Sequence, residues 1–337
     1  MVTLRDLGRL LGVTHSTVSR ALRNSPTISP ARRLEIQQAA ARLGYRPNAV
    51  ATRLGHQRRA GRRVSIDSGI AWLNFWPRPE KLRSFGEFDA YWEGARERAE
   101  STGYRLEEFV CGKRMSARRL ERVLAARNIQ GVLIPPHGLL PRPEGWDRID
   151  WSRFCIVRFG YSTAEPASHL VASNQLACGI LAIENMWRLG YRRIGFVASA
   201  NRFFNFQAGF LTRQAQVEGN PPVCTFVSSR NPKSKLEEFA RWLRTHRPDA
   251  LLSELPETRG MLESLGYRIP RDIGLAATSV LDGNADAGVN QNSREIGRAA
   301  VETLLSLLNH NQYGVPAVPR EVLITGGWVD GPMLPPR

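Results

Sequence analysis

A chain of 337 residues with 42% hydrophobic and 8% aromatic side chains is too long for one core and suits two or three globular domains. No stretch approaches 18 consecutive apolar residues, and the N-terminal MVTLRDLGRLLGV carries charges inside its apolar pattern; a membrane span, a membrane partner and an export signal are therefore not expected, and the expected location is the cytoplasm, on the nucleoid. The net charge of +16 is lopsided: residues 1–63 hold thirteen arginines against Asp6 and Glu35, a net +11 that leaves about +5 for the other 274 residues, which points to a compact module that binds a polyanion.

Leu4, Leu7 and Leu11 stand at i, i+3 and i+7 and predict a first helix over 4–11, closed by Gly12 as a C-terminal breaker. Thr14 is a good N-cap for a second helix reaching Arg23, with Val18 and Leu22 on its inner face. Ser29-Pro30 begins a third helix that stops at Gly44. Two helices joined by a tight turn and followed by a third make a helix-turn-helix domain over 1–46. YRPNAVATRLG (45–55) predicts a short helix capped by Asn48, and the basic stretch after it a linker, so 47–68 is taken as hinge helix and linker.

From 69 to 330 strand and helix patterns alternate. IAWLNF (70–75), YRLEEFV (104–110), GVLI (131–134), FCIVRF (154–159) and RRIGFVAS (192–199) read as strands. Residues 88–104, 116–128 and 174–191 read as helices, and the alternation continues beyond them. About ten strands at this pitch predict two doubly wound lobes of parallel sheet with helices on both faces. Ligands on such sheets sit outside the carboxyl ends of strands. That rule selects Asn74, Trp76, His137, Arg158, Asn201, Arg202, Ser279 and Gln291 as candidates, a mixture of aromatic and hydrogen-bonding side chains suited to a carbohydrate.

Cys111, Cys155, Cys178 and Cys224 are scattered, and the six histidines show no metal-ligand spacing, so isolated buried thiols are expected and no protein-built metal site. There is no P-loop, no GxSxG and no credible nucleophile or paired-carboxylate grouping. Neither catalysis nor a cofactor is expected.

The segment VTLRDLGRLLGVTHSTVSRALRN…ISPARRLEIQQAAARLGYRPNAVATRLG closely resembles the DNA-binding head of the lac-repressor (LacI/GalR) family of bacterial transcription regulators. LGYRRIGFV (189–197), GYRIPRDIGLAA (266–277) and VNQNSREIGRAAVETLLSLL (289–308) resemble that family's periplasmic-binding-protein-like domain more loosely. The resemblance implies that His15, Ser16, Thr17, Ser19 and Arg20 face the major groove. His15, Ser16 and Arg20 then meet bases, while Thr17 and Ser19 reach phosphates. Thr3, Arg23 and Asn24 are the implied phosphate contacts. Asn48, Ala51 and Leu54 would form a hinge helix that folds on the operator, with Leu54 wedged into the minor groove. The implied partners are a pseudo-palindromic double-stranded operator, a second copy of the chain and a small effector, most simply a carbohydrate.

Three departures from the family pattern matter. Arg23 stands where many relatives carry asparagine. The connection over 56–68 is longer than usual. ELPETRG (254–260) and TSVLDG (278–283) replace the residues that usually hold sugar hydroxyls. The weakened sugar motif leaves a DNA-binding regulator or architectural protein without an effector as the alternative, and a solute-binding protein as a more remote one.

Overall fold

The computed structural model describes residues 4–22, 28–43, 69–111, 115–137, 146–162, 165–198, 205–216, 224–228 and 232–337. The predicted hinge helix with Asn48, Ala51 and Leu54 lies outside them, as do the linker, Thr3, Arg23, Asn24, Asn201 and Arg202.

Helices α1 (Leu4–Leu10), α2 (His15–Leu22) and α3 (Pro30–Arg42) form the head. Gly12 ends α1 in the left-handed region at φ +63°, a conformation that costs glycine nothing. Gly8 serves the same turn differently. A β-carbon there would lie 2.7 Å from the Val13 carbonyl oxygen, to which the chain must come close so that the Val13 amide can donate to the Gly8 carbonyl at 2.9 Å. The Thr14 hydroxyl accepts from the Thr17 amide at 3.2 Å and caps α2, as its position before the apolar pattern predicts. Leu7, Val18, Ala21, Ile36 and Ala40 make the core, with Leu11, Val13, Leu22 and Ile28 packed around it. Two side-chain ties then fix the helices against one another: Arg32 donates to the Leu11 carbonyl at 2.9 Å and Gln37 to the Ala21 carbonyl at 3.1 Å.

The body consists of two six-stranded sheets. The first is built from β1 (Gly69–Asn74), β2 (Arg105–Val110), β3 (Gly131–Ile134), β4 (Cys155–Phe159), β5 (His169–Ser173) and β11 (Glu321–Ile324), in the order β11-β5-β4-β3-β1-β2 and parallel throughout. The second holds β6 (Ile194–Ala198), β7 (Cys224–Val227), β8 (Ala250–Ser253), β9 (Gly274–Ala277), β10 (Gly288–Asn290) and β12 (Gly327–Val329), in the order β12-β10-β9-β8-β6-β7, with only β12 antiparallel. Among the described residues there are twelve strands against the ten expected, and two of them, β10 and β12, are only three residues long. Residues 331–337 also belong to the second lobe, where Leu334 is buried and Tyr191 donates to the Pro335 carbonyl at 2.9 Å.

The helices are α4 (Gly86–Ser101), α5 (Ala117–Ala126), α6 (Gln175–Arg188), α7 (Asn205–Ala215), α8 (Pro232–His246), α9 (Thr258–Ser264) and α10 (Ser293–His310). The predicted cap Ser116 accepts from the Arg119 amide, and Asn174 caps α6 through the Ala177 amide. The chain passes between lobes three times: from β5 into α6, from β10 into α10, and from β11 into β12. These crossings lie side by side and are tied to one another. The Asn174 amide donates to the Ile324 carbonyl at 2.8 Å, and the Asn292 side chain donates to the Thr325 carbonyl at 2.8 Å.

One helix pair in each lobe meets backbone to backbone. A β-carbon on Gly94 of α4 would run into the Arg294 carbonyl, and one on Gly297 of α10 into the Tyr91 carbonyl. The second lobe repeats the device, with Gly179 of α6 against the Phe206 carbonyl and Gly209 of α7 against the Leu176 carbonyl. Each lobe then closes its two apolar layers, one on either face of its sheet.

Candidate nucleic-acid interface and ligand cleft

Helix α2 buries Val18 and Ala21 fully in the head core, and this fixes which residues turn outward. His15 and Arg20 are exposed and Thr17 is half-buried; Ser16 and Ser19 share the helix. The Thr17 hydroxyl lies 2.9 Å from that of Thr14, so Thr17 is partly engaged in the cap that starts the helix. Arg9 and Arg42 are exposed on the flanking helices. A short helix with an exposed histidine and arginine, braced by Arg32 and Gln37, is of the size and chemistry that enters a major groove.

Asn74, Trp76, His137, Arg158 and Gln291 lie at or just after the ends of their strands, and most of their polar atoms serve the chain itself. Asn74, buried at the end of β1, donates to the Pro79 carbonyl at 2.9 Å and to Glu108 at 2.8 Å, and accepts from the Trp76 amide at 3.0 Å. The Trp76 indole N–H donates to the Pro136 carbonyl at 2.9 Å, and its ring leans on Phe85 with centroids 5.5 Å apart. His137 is buried beside Phe75, and its amide donates to the Ser162 hydroxyl. Arg158 donates to the Ser168 and Gly160 carbonyls; desolvation pulls its guanidinium pKa down, with Glu321 and Tyr161 acting against it. Gln291 is buried and donates to the Thr278 carbonyl at 3.0 Å.

Ser279 belongs to a contact that sequence reasoning missed. The loop after β9 reaches across to the first lobe, where Asp282 Oδ1 accepts from the Gly86 amide at 2.6 Å and Oδ2 from the Glu87 amide at 3.2 Å. Asp282 thus caps the N-terminus of a helix in the other lobe, where a carboxylate meets unsatisfied amides and the positive end of the dipole. Gly86 permits the approach, since a β-carbon would stand 3.0 Å from the Leu281 carbonyl oxygen. Glu87 follows it into the same enclosure. Its carboxyl pKa is raised from 4.5 to about 7 by burial, against a lowering hydrogen bond with Ser279 and with a smaller push upward from Asp282. TSVLDG carried only the trace of a lost sugar motif; a glycine-acid pair two hundred residues earlier was the one signal of its partner.

The buried thiols Cys111 and Cys155 are pushed up to about 12 by burial. Cys224 is not isolated, with its sulfur 2.8 Å from His246 Nδ1. Among the described residues no group of three or more His, Cys, Asp and Glu gathers as a metal site, and no helix is long and apolar enough to cross a membrane.

Comparison with known proteins separates head from body. Residues 3–48 match the model of bacterial regulatory proteins of the lacI family, and residues 183–331 that of a periplasmic binding protein-like domain. The regulator MalR of Streptococcus pneumoniae aligns over 333 residues at 23% identity, covering 92% of this chain and 94% of its own. The head is a lacI-family DNA-binding domain, and the second lobe matches a periplasmic binding protein-like domain. The likeness is strongest in the head: GalS of Salmonella typhimurium is 51% identical over 57 residues, a match that spans 17% of either chain. Two solved structures share the fold along nearly the whole length. The regulator CelR in complex with cellobiose has a TM-score of 0.61 at 19% identity, covering 99% of this chain and 100% of its own. The lac repressor dimer bound to operator and the anti-inducer ONPF has a TM-score of 0.56 at 18% identity, covering 99% of each.

Proposed function

We propose that this chain is a sequence-specific DNA-binding transcription regulator of the LacI family, a repressor that works as a homodimer on a pseudo-palindromic operator in the cytoplasm. Its operator affinity is set by a small carbohydrate-like ligand between the lobes, and it catalyses no reaction. The observation that carries the reading is helix α2: Val18 and Ala21 anchor it, and His15 and Arg20 are left exposed. Dimerisation follows from contact number, since one small head makes too few base contacts for useful selectivity. A structural neighbour in complex with cellobiose, and another named as a maltose operon repressor, support the ligand class. Footprinting on the DNA upstream of the protein's own gene tests the reading. The expected result is a protected pseudo-palindrome that survives at salt concentrations where random DNA is released; protection without sequence preference would overturn it.

A second reading keeps the DNA binding and drops the small ligand. It is favoured by the commitment of Asn74, Trp76 and Gln291 to carbonyls of their own chain. A thermal-shift screen of mono- and disaccharides and nucleosides separates the two, because a ligand that binds only the folded state raises the melting temperature. A rise with any of them supports the first reading, and none across the panel supports the second.

A further inference from the structure

The described polar contacts between the first lobe and the loop after β9 centre on one place, the N-terminus of α4. Asp282 enters from the second lobe and takes the Gly86 and Glu87 amides. In doing so it comes up against Glu87, whose carboxyl meets the Ser279 hydroxyl from that same loop. One Glu87 oxygen is enclosed without a hydrogen-bond partner. Two partly buried carboxyl groups from opposite lobes thus meet at one helix end, where enclosure disfavours the ionised Glu87 and the neighbouring Asp282 adds a smaller push in the same direction.

We propose that the Glu87–Asp282 contact is a proton-operated latch between the lobes: uptake of one proton on Glu87 closes them, and its loss opens them. The proton makes Glu87 a neutral carboxylic acid, which removes the repulsion against Asp282 and turns one Glu87 oxygen into a donor. Loss of the proton leaves two facing anions, and separation of the lobes returns Glu87 to water. The other titratable groups around it keep their state. Tyr91, one turn along α4, is held well above its ordinary value by burial, with Glu87 and Asp282 adding to the shift. Cys178 on α6 is raised by burial, with Glu87 a lesser contributor. The influences on Glu87 itself are burial, the Ser279 hydroxyl and Asp282; none is a cation that would hold it ionised.

The size of the effect follows from linkage. In the closed form Glu87 titrates near 7, and once exposed it returns toward 4.5. The closed-to-open ratio therefore falls by about 70-fold between pH 5 and pH 8. This device goes beyond control by a ligand and needs neither DNA nor sugar, so its failure and that of the proposed function are separate results.

The test uses full-length protein without DNA or ligand, spin-labelled at one exposed position on each lobe, with inter-lobe distances measured from pH 5 to pH 8.5. Wild type is expected to pass from a short to a long distance with a midpoint near 7. Glu87→Gln, which keeps the shape of the protonated acid, is expected to stay short at pH 8.5. Asp282→Asn is expected to move the transition to lower pH without abolishing it, since burial is the larger influence on Glu87. An unchanged wild-type distance distribution across the range overturns the latch, as does a transition that survives in Glu87→Gln. Closure of wild type at pH 8.5 by millimolar calcium or magnesium also overturns it, since the pair would then be a cation site.

Discussion

At the scale of single residues, Arg20 and Asn74 show how differently two candidates serve a protein. Arg20 is exposed on α2. Its planar fork suits the two acceptors of a guanine edge, a pairing worth about 1–3 kcal/mol of discrimination. Arg20→Ala is expected to weaken operator binding by roughly tenfold or more while leaving random-sequence binding nearly unchanged, and Arg20→Lys should not restore selectivity; fluorescence anisotropy on both DNAs measures this. Asn74 is the opposite case. Its amide makes two hydrogen bonds within the turn after β1 and a third to Glu108 on β2, and Asn74→Ala strands the Pro79 carbonyl and the Trp76 amide. A loss of about 2–3 kcal/mol of stability is expected in urea denaturation, with any change in ligand affinity following from a loosened loop. The sequence placed Arg20 on the second helix and Asn74 at the end of a strand, as the structure has them. It could not show that Asn74 is spent on its own chain, because Glu108 becomes its neighbour only once β1 and β2 pair.

The elements themselves were legible wherever local chemistry decides them. Thr14, Ser116 and Asn174 precede apolar helical patterns and all three cap through their side chains; GVLI forms a four-residue strand buried along its whole length. Illegible were β10 and β12, three residues each, whose partners come from elsewhere in the chain and whose periodicity is too brief to register. Equally hidden were the glycines of the helix crossings, which in a sequence look like weak points in α4, α10, α6 and α7. In the fold they are the reason those helices meet at all. Gly297→Ala drives a methyl group into the Tyr91 carbonyl, so the whole α4–α10 contact must open. The expected cost is about 3 kcal/mol or failure to fold, well beyond the small gain in helix propensity. Calorimetry on Gly297→Ala beside an alanine change at exposed Glu302 checks it, the second variant showing little change.

For the whole molecule, the protonation of Glu87 makes stability itself depend on pH, and the sign can be worked through. Glu87 in the native protein keeps its proton up to about pH 7, whereas in the unfolded chain it loses it near 4.5. Between those values the native state binds more protons than the unfolded one, so the free energy of unfolding falls as pH rises and levels off above 7. The full shift corresponds to at most about 3 kcal/mol, or roughly 5 °C in melting temperature for a body of this size. Opening of the lobes caps the loss, since a native protein that can separate Glu87 from Asp282 need never bear the whole repulsion. Other carboxylates act in a different window. Asp272, lowered to about 2 chiefly by its Arg268 hydrogen bond, contributes stability that is present above its unfolded value of 3.8 and disappears only as pH falls toward 2. Calorimetric melting at pH 5, 6, 7 and 8 is therefore expected to show wild type losing several degrees, most of it by pH 7. Glu87→Gln should lose that fall, leaving only the small rise from His169, which burial and Arg320 hold below its ordinary value, and keep the same acid limb below pH 4. A wild-type profile already flat between pH 5 and 7 would show that the Glu87 carboxyl is ionised in the folded protein.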